Sequence, residues 1–159
     1  MLIALYLVAI ALANLSVSYF GPSSAIVNAF LFIGLDLTTR DRLHQQWHGK
    51  HLWLKMFALV ASGSILSYIL NANAGPIALA SFVSFLVSGL VDTLVYHLLR
   101  DRKDLIRVNG SNISSALADS LIFPTLAFGQ FLPLIVLGQW LAKITGGFIW
   151  SLILRKKGE

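Results

Sequence analysis

Two stretches of this sequence carry an acid where an acid is costly. Ser88-Gly89-Leu90-Val91-Asp92-Thr93-Leu94-Val95-Tyr96 is answered downstream by Ser115-Ala116-Leu117-Ala118-Asp119-Ser120-Leu121-Ile122-Phe123. Position by position both read serine, tiny, Leu, small apolar, Asp, hydroxyl, Leu, β-branched, aromatic. Each copy lies inside a long apolar segment, and an ionisable residue in such a place marks a functional site by default. A carboxylate there is suited to hold the donor groups of a small polar ligand. The plainer reading makes Asp92 and Asp119 structural, capped by Ser88 or Ser115 or paired with Lys143. Placing Asp at the centre of a membrane helix costs roughly 3 kcal/mol, whereas intramembrane polar contacts return less than about 1 kcal/mol on average. Packing alone is a poor reason to keep two.

Further polar groups surround the second copy. Asn112, Ser115 and Asp119 are spaced three or four apart and form one stripe on a helix. Amide, hydroxyl and carboxylate in a row suit a small polar ligand better than lipid, although a helix start capped by Ser111 or Asn112 would use the same residues. Pro124 frees the backbone carbonyl one turn earlier, near Ser120, and can kink the helix beside the motif. Tyr96, Phe123 and Trp140 offer aromatic faces, and Gln130 and Gln139 offer amides. Asp36 and Arg40 are one turn apart, an ordinary interfacial pair or a gate that opens by breaking it. His44, His48 and His51 have no carboxylate or Cys at ligand spacing, so no metal site is assigned. With Trp47 and Trp53 they read as an interfacial belt. Gly146-Gly147 reads as close helix packing.

The elements that must position these groups are membrane helices. The 159 residues are 57% hydrophobic and only 12% charged, with mean hydropathy +0.76; a soluble domain carries about twice that share of charge. There is no cysteine, hence no disulfide or thiolate chemistry. Spans of about 20 apolar residues are expected at about 2–20, 24–39, 51–70, 77–99, 111–128 and 132–154. Gly21-Pro22, Asn71 to Pro76 and Gly129 fall between them, where breakers belong. The first segment lacks a basic leader region and has spanning length, so it is expected to stay as a helix. No span alternates with the period of a membrane strand. The fold class is therefore an all-α, six-transmembrane-helix bundle forming a single domain over 1–159.

The formal charge of +5 invites a nucleic-acid reading, but the cations encode orientation instead. Arg40, Arg42, Lys50 and Lys55 flank the second connection; Arg100, Arg102, Lys103 and Arg107 flank the fourth; Arg155, Lys156 and Lys157 form the tail. Only Lys143 departs from this pattern. By the positive-inside rule both termini are cytoplasmic. Asp41, Asp101, Asp104 and Glu159 sit among those cations as solvated charges, which leaves Asp36, Asp92, Asp119 and Lys143 at membrane depth. Asp92 and Asp119 each lie roughly 12 Å from the cytoplasmic helix end, on neighbouring helices of opposite direction. Inverted repeats that meet near the midplane are a transporter arrangement.

The run from Ser115 through Asp119-Ser120-Leu121-Ile122-Phe123 to Ala127-Phe128-Gly129, entered from an Asn-rich stretch, resembles the signature of the VUT family, the queuosine-precursor transporters. Gly34-Leu35-Asp36-Leu37-Thr38 and Asn14 are similar to that family too. The resemblance implies an inner-membrane importer of 7-deazaguanine precursors such as preQ0 or preQ1. A deazaguanine presents N1–H and an exocyclic amine side by side, a donor pair for one carboxylate. Tyr96, Phe123 or Trp140 would stack on the base, and Asn112 or Gln130 would meet its carbonyl edge.

The expected function is import of a small heterocycle with no cofactor, its partners being that substrate, the bilayer, and a second copy or an energising subunit. One alternative is the substrate-binding subunit of an energy-coupled vitamin-uptake system; the chain has no G-x-x-x-x-G-K-[ST] loop, so ATP coupling would need a partner. Another is a small enzyme on lipid-linked substrates, using Asp36, Arg40 and the histidines at the cytoplasmic face. No complete catalytic constellation is present, so the chain is read as a non-enzyme. The topology is directly testable: reporters fused after Gln45, Leu105 and Glu159 should be cytoplasmic, and those after Pro22, Asn73 and Gln130 external. A cytoplasmic signal at Asn73 would sink the six-span arrangement.

Overall fold

The computed structural model describes residues 1–47 and 51–156. His48, Lys50, Lys157 and Glu159 lie outside the described residues, as do the side chains of Asp41, His44, Asp104, Arg155 and Lys156. The regular elements among the described residues are all helices, with no strand. Helix α1 spans Leu2–Phe20 and ends at Gly21, whose φ of 70° takes the chain into Pro22. Next come α2 (Ser24–Asn28), a π-helical segment (Ala29–Ile33) and α3 (Gly34–Gln46), without an intervening break. They are followed by α4 (Leu52–Leu70), a 3₁₀ turn (Ala72–Ala74) running into α5 (Gly75–Leu98), α6 (Asp104–Phe128) and α7 (Pro133–Lys156).

Two helices run further than expected. The segment from Ser24 continues through Gln46 rather than ending near Thr39, because Leu43 is buried against Tyr6, Ile10 and Phe85 and ties the extra turns to α1 and α5. Helix α6 begins at Asp104 rather than Ser111. Asn109-Gly110 is not a breaker here: a Cβ on Gly110 would lie 2.7 Å from the Leu99 side chain, so the glycine admits a close contact inside the helix.

The helices close a ring. α1 packs on α4, α4 on α5, α5 on α6, α6 on α7, α7 on the π segment and α3, and α3 returns to α1. α5 and α6 make the most extensive contact, as an antiparallel hairpin. Among the described residues, four segments are long and apolar enough to cross a membrane: Leu2–Phe20, Leu52–Leu70, Ala72–Leu98 and Pro133–Leu154. Side-chain placement is inverted relative to a protein in water. Val8, Leu12, Ile65, Leu79, Leu90, Leu94 and Leu141 are exposed, while Asn14, Asn28, Asp36, Ser81, Ser84, Asp119, Gln139 and Lys143 are buried. Burying charge while leaving Leu outside is unfavourable in water and natural in lipid, where the apolar exterior meets its own kind.

The tightest joint lies between the π segment and α7. A Cβ on Gly34 would come within 2.7 Å of the Gly146 backbone, and one on Gly146 would collide with the backbone of Phe30. The hydroxyl of Thr38 donates to the carbonyls of Gly34 (2.9 Å) and, across the joint, Gly147 (3.3 Å). A π segment carries one residue more per turn than the hydrogen-bond ladder of an α-helix allows, and here it meets a glycine pair that lets the two backbones touch. Gly146→Ala is therefore expected to cost about 1–3 kcal/mol through overpacking, lowering the thermal midpoint of detergent-purified protein. Gly147→Ala, whose Cβ would meet nothing within 4 Å, should leave the midpoint unchanged.

Candidate functional site

Ring closure brings polar side chains from α1, α2, α5, α6 and α7 to one interior point. They line a small internal cavity through Asn14, Asn28, Ser81, Ser84, Asp119, Gln139 and Lys143, with Phe85 and Phe123 as aromatic walls. The volume open to water-molecule centres is about 20 Å³, enough for one or two waters. Anything larger could enter only if the lining helices parted.

The centre of this cluster is Lys143. Its ammonium lies 2.7 Å from Asp119 Oδ2, and both side chains are almost fully buried. It also donates to Ser120 Oγ at 3.0 Å and to Gln139 Oε1 at 3.3 Å. Three partners saturate an ammonium. Lys143 and Gln139 are one turn apart on α7, and Asp119 and Ser120 are adjacent on α6, so the cluster pins these two helices together. Pro124, also buried, withholds the amide that would bond the Ser120 carbonyl, so the helix ladder opens just where Lys143 arrives.

The remaining valences define what the site can accept. Among the described residues, Asp119 Oδ1 and Gln139 Nε2 are buried without a hydrogen-bond partner. The first is an acceptor and the second a donor. Several neighbouring polar groups are committed: Asn14 Nδ2 donates to Ser67 Oγ (3.0 Å), Ser67 Oγ to the Gly63 carbonyl (2.8 Å), and Ser84 Oγ to the Ser81 carbonyl (3.1 Å). Of the two oxygens expected to grip ligand donors, Oδ2 already accepts from Lys143, and Oδ1 has no partner among the described residues.

The other sequence-flagged residues spread over the molecule. Asn112 and Ser115 line a second, open groove of about 720 Å³ between α3, α6 and α7, together with Thr38, Arg42, Gly147 and Ser151. Lys143 lines both spaces and forms the wall between them. Asp92, the counterpart of Asp119, is half-buried and lines neither space, although Ser88 and Ser115 keep the repeat, each bonding the carbonyl three residues back at 3.1 Å. Tyr96 is exposed, with the Arg107 guanidinium 4.6 Å over its ring. Trp140 Nε1 donates to the Ile113 carbonyl at 3.1 Å, and Gln130 is exposed beyond the end of α6. Asp36 is fully buried, because the continuing α3 carries it into the ring, and Arg40 is half-buried. Both lie within electrostatic reach of the buried Tyr6, as does Asp119. Asn28, Ser81 and Ser84 were not singled out from the sequence; the spacing of Ser81, Ser84 and Ser88 was the available signal.

Residues 65–154 match the family model described as “Putative vitamin uptake transporter”. The chain belongs to this family. The matched region runs from within α4 to the last turns of α7, and so contains Asp119, Ser120, Gln139 and Lys143 together with the serines of α5. No curated protein and no solved structure matches the chain. As a member of a vitamin-uptake-type transporter family with several apolar spans, it is a multi-pass membrane protein.

The buried pair makes a definite energetic claim. Removing one partner strands a charge in a low-dielectric interior, which costs about 3–5 kcal/mol, whereas replacing both with apolar groups costs far less. Lys143→Met alone is therefore expected to lower unfolding stability in detergent by that amount, and Asp119→Leu with Lys143→Met to recover most of it. Additive losses in the double variant would show that the two residues do not act as a pair.

Proposed function

We propose that this protein imports a small heterocycle across a bacterial-type inner membrane, and that the heterocycle is a queuosine precursor of the 7-deazaguanine type, preQ0 or preQ1. The whole chain then works as one domain of six spans with both termini cytoplasmic. Four are the apolar segments above, and the run from Ser24 to Gln46 and α6 complete the bundle. These two runs are less apolar because they carry the site, bringing Asp36 and Asp119 into the interior. The chain performs no covalent chemistry on its cargo.

The observation that carries this reading is the Asp119–Lys143–Gln139 cluster. A charged, hydrogen-bonded group with free valences, facing a small internal space between membrane helices, supports binding beside its role in holding α6 to α7. The family membership supports transport, and the residues around Asp119 that resemble the queuosine-precursor transporters support the choice of cargo. In this scheme Asp119 and Phe123 hold the ligand, and Asn112 and Ser115 line its route through the groove. Asp36 and Arg40, beside Tyr6, form a gate. Asp92, Tyr96, Gln130 and Trp140 serve the helix contacts and ends where they lie.

The test is restoration of queuosine in tRNA in a precursor-auxotrophic cell that lacks its own importer, supplied with limiting preQ0 or preQ1. Expression of this chain should restore it. Asp119→Asn should fail at limiting precursor, because an unpaired buried ligand hydrogen costs about 1–3 kcal/mol, roughly ten- to a hundred-fold in affinity. No restoration by the unmodified chain, when present in the membrane, would remove the queuosine assignment.

A further inference from the structure

The open groove between α3, α6 and α7 carries a charge that the inner cavity does not. Lys143, at its inner wall, is neutralised by Asp119. Arg42 lines the same groove, is half-buried, and makes no ion pair among the described residues. No carboxylate is among the described residues that line it. The lining hydroxyls spend their protons on backbone carbonyls: Thr38 on Gly34 and Gly147, Ser115 on Asn112, Ser151 on Phe148. The donors left to a ligand are the Arg42 guanidinium and the side-chain amides of Asn109 and Asn112. The groove is therefore net positive.

Depth adds a second constraint. Arg42, Asn109 and Ser151 lie about 6–8 Å along the helix axes from the ends at Gln46, Asp104 and Lys156. Ile113, Phe148 and Ile144 line the groove deeper, about 12–18 Å from those ends. Phe148 is 64% and Ile113 41% exposed. A cation near the helix ends, with an apolar wall beneath it, matches an amphiphile of opposite charge. We infer that this groove binds an anionic phospholipid of the leaflet that meets the basic helix ends, its phosphate level with Arg42 and one acyl chain along Phe148 and Ile144. Basic pockets between membrane helices at this level take anionic headgroups. A free anion would satisfy Arg42 and leave the apolar wall bare. The volume of about 720 Å³ falls among clefts that hold a drug-sized molecule, room for a headgroup and the start of one chain. The inference goes beyond the importer reading and does not depend on it. The same groove is the route proposed for the cargo, so lipid and cargo would exclude one another there.

The test uses the full chain purified in neutral detergent, with phosphatidylglycerol or phosphatidylcholine of matched acyl chains, bound lipid being counted by native mass spectrometry. One cation near the surface corresponds to a preference of about five-fold for the anionic lipid. In Arg42→Gln the ratio should fall to about one, whereas Arg102→Gln, at an exposed site outside the groove, should preserve it. A second measurement needs no charge removed. The chain has no cysteine, so Ser151→Cys carries a sole thiol in the groove, and phosphatidylglycerol should slow its labelling by a maleimide more than phosphatidylcholine does. Thermal unfolding reports folding of each variant; if Arg42→Gln fails to fold, the labelling decides. Equal binding of the two lipids, a preference lost equally in Arg102→Gln, or equal protection by both lipids would overturn the inference. Protection by inorganic phosphate as strong as by phosphatidylglycerol would replace the lipid with a soluble anion. None of these outcomes touches the importer reading.

Discussion

The structure turns on one ammonium. Lys143 is the only cation set far from the basic helix ends, and it is stable there because Asp119, Ser120 and Gln139 satisfy all three of its donors. Desolvating a carboxylate and an ammonium is expensive, and only near-ideal geometry with further hydrogen bonds offsets it. That requirement fixes the approach of α6 to α7, and through them the position of α5 on one side and of the π segment and α3 on the other. It also decides which valences of Asp119 and Gln139 stay open, so the same contact that orders the bundle shapes the site.

Around this point the ring follows the logic of a lipid-solvated protein. With apolar side chains gaining little from meeting one another, close helix contact comes from small residues and from hydrogen bonds across interfaces. Gly34 against Gly146, Thr38 on the Gly147 carbonyl, Asn14 on Ser67 and Trp140 on the Ile113 carbonyl are contacts of this kind. The serines of α5 and α6 mostly bond their own helix, leaving narrow, smooth faces that allow the hairpin its long contact.

Much of this was legible in the residues. Apolar runs and breakers announce a helical membrane protein, and Asp119 with its hydroxyl neighbour announces the buried cluster around Lys143. What could not be read was direction. The repeat treats Asp92 and Asp119 as equals, but of the two only Asp119 lines the inner cavity; a nine-residue match records residue types, not the rotation of each helix about its axis. Lys143 was visible as an anomaly and as a partner for an acid, yet its bond to Gln139 depends on which α7 face meets α6. The span expected from 111 leaves Asn109 and Gly110 outside it, and only the neighbouring Leu99 reveals a glycine kept for closeness inside the helix. The π segment carries no compositional mark, since Ala29 to Ile33 is ordinary helix-forming sequence.

The wall that Lys143 forms between the inner cavity and the open groove has an electrical consequence. The transmembrane voltage does work only on net charge, about 2.3 kcal/mol per elementary charge per 100 mV. A carboxylate and an ammonium 2.7 Å apart travel together as a dipole, so displacing the wall as a unit moves essentially no charge through the field. An opening that keeps this pair intact would be electrically silent, and in such a motion any dependence on membrane voltage would enter through charges elsewhere in the chain or with an ion that accompanies the cargo.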